Sequence, residues 1–205
     1  MSAEPTLSDL LNRARSSPAF DIQLRIQAAE TNADLLKQVD RAVAYAVREM
    51  VANRKHKQKL TEDQRTVEIV SLLKTLGLPA IHDAEIGGHT DISISMLEDF
   101  IWIAEAKNWR GSSWAFKGFR QLLTRYATGL PGQDNGAVII YFEQQDAAGL
   151  MTKWRTNLSR LQSDTHLIEA VRPLQFSTRH THIGAGTPFC VQHIGVPLYW
   201  KPDDD

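Results

Sequence analysis

Asp91, Glu105 and Lys107 are the residues of this chain whose types and spacing best suit joint chemistry. They bracket the stretch GGHTDISISMLEDFIWIAEAK, in which two apolar runs alternate around Leu97-Glu98-Asp99. Residues two apart on a strand share a face, so Glu105 and Lys107 project together with Ile101 and Ile103. Phe100, Trp102, Ala104 and Ala106 face the other way. Asp91, Ser93 and Ser95 alternate likewise with Ile92, Ile94 and Met96. A hairpin turning at residues 97–99 brings Asp91 beside Glu105 and Lys107, which sets two carboxylates and an ammonium at one strand end. That trio suits phosphodiester hydrolysis with a hard divalent cation. Magnesium takes a few carboxylate oxygens and completes its shell with water and phosphate. Lys107 would then orient or deprotonate the attacking water and stabilise developing charge. The carbonyl of Ala106 is a candidate extra ligand. The blander account is a solvated edge with a surface ion pair of little energetic worth. Against it, FIWIAEAK is apolar on both faces, as a central strand covered by helices should be, and charges at the end of such a strand point to a site.

Asp91 followed by Glu105-x-Lys107 resembles the PD-(D/E)XK phosphodiesterase superfamily, with Thr90 standing where the usual proline would be. Trp109, Gly111 and then Gln121-Leu122-Leu123 with Tyr126 are similar to a bacterial branch in which E-x-K-x-W-x-G precedes a helix bearing Q-L-L and a tyrosine. The resemblance spans roughly Thr61 to Trp200. It implies a restriction-endonuclease-like α/β fold, and magnesium (manganese as a possible substitute) held by Asp91, Glu105 and the Ala106 carbonyl. It also implies that Gln121 reaches toward the lysine or the scissile phosphate, which an amide suits because it both donates and accepts. The first helix of the superfamily often adds an acid; Glu68 is the first candidate here and Glu62 the alternative. The expected activity is DNA endonuclease in bacterial restriction or anti-phage defence. The alternatives are a nuclease-fold DNA-binding or interaction subunit without turnover, and an RNA nuclease.

The 205 residues carry a formal net charge of −1, so attraction to nucleic acid has to be local. Arg110, Lys117, Arg120 and Arg125 form a basic set beside the proposed site and are the candidate phosphate contacts. Asn53–Lys59, NRKHKQK, is a second basic cluster, equally readable as a solvated helix end. No apolar run is long enough to span a bilayer, and the first residues lack a secretory pattern. One cysteine, Cys190, excludes an intramolecular disulfide. These features predict a cytoplasmic protein without membrane contact.

The elements that position the trio follow from periodicity. Residues 1–56 read as a helical extension, with a stripe from Ile22 through Val47 that would pack on the core, pair with a second copy or dock a partner. Residues 57–205 read as the nuclease-like domain. Thr61 with Gln64 predicts a capping box opening a helix, which Gly77 and Pro79 end. Ala80–Ile86 predicts a short strand, Gly87-Gly88 a turn, residues 112–128 a helix, 137–142 a buried strand and 147–161 another helix. Two strands, 167–176 and 189–199, are expected on either side of a surface loop STRHTHIGAG that would hold His180 and His182; no second cysteine completes a zinc set with them. His89 could touch phosphate or a bound water or be structural, Trp109 could stack on a base or close a helix–strand joint, and Tyr126 could touch substrate or fill the core. This order of elements predicts a mixed central sheet with helices on both faces.

Overall fold

A computed structural model describes residues 5–14, 16–168 and 172–202. The elements run α1 (Leu7–Ala14), α2 (Pro18–Gln27), α3 (Asn32–Ala52), α4 (Glu62–Thr75), β1 (Ala80–Glu85), β2 (His89–Met96), β3 (Phe100–Asn108) and α5 (Ser112–Gln121). After a π-helical turn, Leu122–Tyr126, come β4 (Asn135–Phe142), α6 (Ala147–Leu161), β5 (His166–Leu167), β6 (Gln175–Thr181) and β7 (Pro188–Pro197). The strands form one seven-stranded sheet in the order β1-β2-β3-β4-β7-β6-β5. β3, β4 and β7 are parallel at its centre, while β1, β2 and β6 pair antiparallel with their neighbours. The α/β class and the mixed sheet are thus as expected. No described helix is long and apolar enough to cross a membrane.

Alternation along β3 divides its side chains between two cores. Phe100, Trp102, Ala104 and Ala106 join one core with the residues of α2, α3 and α4, while Ile103 joins the other with α5 and α6. A strand buried on both faces has few places for charge, so Glu105 and Lys107 stay at its C-terminal end. Across the hairpin Ile92 pairs with Ala104 and Met96 with Phe100, the register that the turn at residues 97–99 requires. The Thr90 hydroxyl donates to the Ala104 carbonyl at 3.2 Å, tying β2 to β3 next to Asp91.

Residues 1–56, expected as an extension, contribute directly to the first core. Ile22, Ile26, Leu35, Val39, Ala42, Val43, Ala46 and Met50 lie in one cluster with Ile69, Ile92, Trp102 and Val196. The stripe on α3 therefore packs on the sheet. Pro18 occupies the first turn of α2, where its missing N–H costs nothing, and Thr31 caps α3 by accepting from the Asp34 N–H at 3.1 Å. Residues 1–4, where this stretch begins, are outside the described residues, as are 169–171 of the expected strand 167–176 and the acidic 203–205.

The surface loop expected at 177–186 is replaced over its first half by β6, so His180 is a buried strand residue instead of a surface-loop residue. The reason is a hydrogen-bonded chain that makes polar burial tolerable. The Trp154 indole N–H donates to His193 Nδ1 at 3.2 Å, which leaves the His193 proton on Nε2, 2.9 Å from the Thr178 hydroxyl. That hydroxyl then donates to His180 Nε2 at 2.7 Å, and His180 Nδ1–H points to Asp164, 3.6 Å away. Each imidazole already accepts a proton donor, so neither has room for a second proton. Burial pushes His193 well below the usual histidine range.

A folded pKa below the unfolded one means that the unfolded chain takes up protons first as the pH falls. The contribution of His193 is thus complete above about pH 6.5 and is lost below it, by about 1.4 kcal/mol per pH unit until the folded pKa is reached. Urea unfolding from about pH 7.5 to about pH 5 should show wild type and His193→Gln converging in stability. A gap independent of pH would show that the ring is not held neutral.

Candidate active site

Lys107 is the centre of the site. Its Nζ lies 2.8 Å from Glu105 Oε1, 3.4 Å from Glu62 Oε1 and 3.7 Å from Asp91 Oδ2. Three carboxylates against one ammonium leave a formal surplus of two negative charges. Each acid is placed by a different element. Asp91, on β2, accepts from the backbone N–H of Ala106 at 2.7 Å. Glu105 comes from β3 itself and is buried, with only 2% exposed. Glu62 opens α4 and accepts from the Asn108 N–H at 2.5 Å. The capping box is present, Thr61 Oγ1 accepting from the Gln64 N–H and Gln64 Oε1 from the Thr61 N–H, and it fixes where that helix begins.

Glu62, the alternative at sequence level, is therefore the helix acid that meets Lys107. Glu68 lies nearly two turns further on and pairs with Lys57 at 2.6 Å, outside the cluster. Gln121 is half-buried at the end of α5, one helical turn beyond Gly118, and makes no hydrogen bond among the described residues. Gly118 is what lets α5 lie over the site: a Cβ there would meet Lys107 Cγ at 2.9 Å and Glu105 Cγ at 3.2 Å. The Gly87-Gly88 turn docks equally closely on the π-helical turn. A Cβ on Gly87, at φ +63°, would lie 2.1 Å from the Arg125 carbonyl oxygen, and one on Gly88 would lie 3.1 Å from the Tyr126 ring. Tyr126 is buried there, Trp109 is buried against Phe142, and His89 is exposed beside Asp83 at 3.1 Å.

Burial raises Glu105 to about 7, helped by the neighbouring charge of Asp91 and opposed by Lys107. Asp91 is raised by the same desolvation, against which Lys107 and the Ala106 N–H work. Desolvation alone would lower Lys107, but Glu105, Asp91 and Glu62 outweigh it and hold the ammonium above its ordinary value. In this arrangement Lys107 is a charge-stabilising cation rather than a free base.

Three buried polar side-chain atoms among the described residues lack a hydrogen-bond partner: Glu105 Oε2, Trp114 Nε1 and His180 Nδ1. The first is an acceptor facing a cluster with surplus negative charge, which is the donor set that a hard divalent cation satisfies. No three His, Cys, Asp or Glu side chains form a ready metal-holding group among the described residues. Asp91, Glu105 and Glu62 offer oxygen atoms of the kind a hard divalent cation takes, around Lys107.

A cleft of about 500 Å³ opens on this cluster, lined by Glu62, Asp63, His82, Asp91, Asn108, Arg110 and Trp114 among others. Sequence reasoning had placed only Glu62, Asp91 and Arg110 among the candidates. The missed Trp114 lies three residues before Lys117 on α5, a spacing that brings side chains together on a helix, and Arg110 reaches its ring from the turn before that helix. Both cations sit 5.1 Å from its ring. Arg120 and Arg125 are exposed on the same segment and form no ion pair with an acid among the described residues. His82 is held by Asp63 at 3.0 Å. Arg65, fully buried on α4, was also missed; it donates to the Lys57 and Gln58 carbonyls and to Asn108 Oδ1 at 2.7 Å, and pairs with Glu143.

Compared with protein-family models, curated proteins and solved structures, the chain matches none.

Arg65 supports the site from below, because the residue whose side chain it holds, Asn108, is also the one whose N–H Glu62 uses. Arg65→Met should leave several buried acceptors without a donor and cost about 3 kcal/mol. Urea unfolding would read this directly, and a loss below about 1 kcal/mol would show the clamp to be dispensable.

Proposed function

We propose that this chain is a magnesium-dependent nuclease that hydrolyses DNA phosphodiester bonds on a restriction-endonuclease-like fold. The observation that carries the reading is the orphaned Glu105 Oε2 inside a cluster of three carboxylates around Lys107. A buried, desolvated group of this composition is costly to the fold, and phosphoryl-transfer chemistry is what it suits. Asp91, Glu105 and Glu62, with the Ala106 carbonyl, would hold the ion. When bound, a divalent cation polarises a phosphoryl oxygen and acidifies a water.

The chain's own groups do the rest. Lys107, kept protonated, orients the attacking water and stabilises negative charge developing on the phosphorane-like transition state. Glu105, 2.8 Å from Lys107, keeps that ammonium in place beside the ion it would hold. The Ala106 and Asn108 N–H groups fix the orientations of Asp91 and Glu62, so that little reorganisation accompanies the reaction. Gln121, without a partner on the face of α5 that carries Gly118, is free to meet the scissile phosphate.

The test is supercoiled plasmid, linear duplex and single-stranded RNA, each with magnesium, manganese or chelator. Wild type should nick the plasmid only with metal. Lys107→Ala, Asp91→Ala and Glu62→Gln should each lose at least about 100-fold, with circular dichroism unchanged, whereas Glu68→Gln should remain within about twofold. Cleavage retained in Lys107→Ala removes the mechanism, and no cleavage of any substrate by wild type removes the nuclease reading. Cleavage confined to RNA transfers the site to the other nucleic acid.

A further inference from the structure

The second orphaned atom at the cleft is a donor. Trp114 Nε1 is buried with no acceptor, and its ring is flanked by Arg110 and Lys117, each 5.1 Å away. Neither cation forms an ion pair with an acid among the described residues, although Glu62, Asp63 and Asp91 line the same cleft as Arg110. A buried N–H without an acceptor costs free energy comparable to a lost hydrogen bond, and native structures retain few such groups. Two cations without an acid partner, stacked against the ring that carries that donor, make this a place for an anion. The field of the first turns of α5, capped by Gly111 without a side-chain acceptor, has the same sign.

The carboxylates of Glu62 and Asp91 and the indole line one cleft from different elements. Asp91 and Glu105 are on β2 and β3 and Glu62 opens α4, while Trp114 and Lys117 are on α5. A polyanion with phosphates at regular intervals satisfies both places at once. We propose that Arg110, Lys117 and the Trp114 indole N–H form a second phosphate seat, which takes the phosphodiester adjoining the scissile one on the same DNA strand. The proposal rests on the nuclease reading and adds to it that the substrate must continue as a strand on the α5 side. The seat positions the substrate and does not take part in bond making or breaking.

The experiment uses the full chain. Binding of a labelled DNA duplex is followed by fluorescence anisotropy in chelator, where turnover is absent. Trp114→Phe keeps the ring and loses only the donor; because that donor has no partner in the free protein, the fold should be unaffected. Trp114→Phe should weaken binding about tenfold, and Arg110→Gln or Lys117→Gln should each reduce the slope of log affinity against log salt by about one. With magnesium, KM should rise in these variants while kcat stays near wild type. On a strand carrying a single uncharged methylphosphonate, wild type should undercut the linkage beside it on one side only, and Arg110→Gln should show no such dip. Affinity of Trp114→Phe within about twofold of wild type, with unchanged salt slopes in the cation variants, overturns the seat. If wild type binds and cuts DNA but is indifferent to these substitutions, the seat falls and the nuclease reading stands. If wild type neither binds nor cuts DNA, both fall together.

Discussion

One ammonium held among three carboxylates at the end of a buried strand is the constraint around which this molecule is built. Desolvating such charges costs several kcal/mol per ion, and only close geometry offsets it. That geometry draws on four elements at once. β3 supplies Glu105 and Lys107, β2 brings Asp91 onto the Ala106 N–H, α4 begins where Glu62 can reach the Asn108 N–H, and α5 comes close enough to seal the pair only because residue 118 is glycine. The parallel core strands give this cluster a dry floor, and the capping box of α4 determines which acid of that helix faces it.

A second buried cation stabilises the first. Arg65 holds the Asn108 side chain and the carbonyls of residues 57 and 58, so the same residue that receives Glu62 through its backbone is held through its amide. The segment before α4, the helix start and the end of β3 are thereby linked through Asn108. Lys57 extends this linkage by pairing with Glu68, which accounts for that glutamate without any part in the cluster.

The legible part of this architecture was what periodicity and register determine. Asp91, Glu105 and Lys107 could be placed together because strand alternation is strict and the hairpin turn is short; the two-faced burial of FIWIAEAK was readable for the same reason. The choice between Glu62 and Glu68 was not, because both lie on one amphipathic helix and its docking position, not its pattern, decides which one meets the strand end. The segment Ser177–His180 misled through polarity. Ser, Thr and His usually signal exposure, and the chain linking Trp154, His193, Thr178 and His180 to Asp164 exists only once strands distant in sequence are paired. The π-helical turn at Leu122–Tyr126 left no compositional trace, although it is the surface on which the Gly87-Gly88 turn rests. The stripe within residues 1–56 left packing on the core, pairing with a second copy and docking a partner equally open, because periodicity does not say what covers a helix face; it is the sheet that covers it.

The charge balance of the site also shows why its two halves belong together. A cluster with a formal surplus of two negative charges repels a phosphodiester, and a chain of net charge −1 offers no general attraction to counter that. The divalent ion of the proposed mechanism would cancel the surplus locally but leave the approach unassisted. Arg110, Lys117, Arg120 and Arg125, which form no ion pair with an acid among the described residues, lie on α5 or on the segments flanking it, and α5 is the helix Gly118 seats against Lys107. On the proposed reading, attraction and chemistry would be carried by adjoining elements with opposite signs of charge. Under the proposed nuclease reading, a phosphate strand would approach along the basic residues of and beside α5 toward the acidic end of the sheet, with α5 as the guide and β3 as the destination.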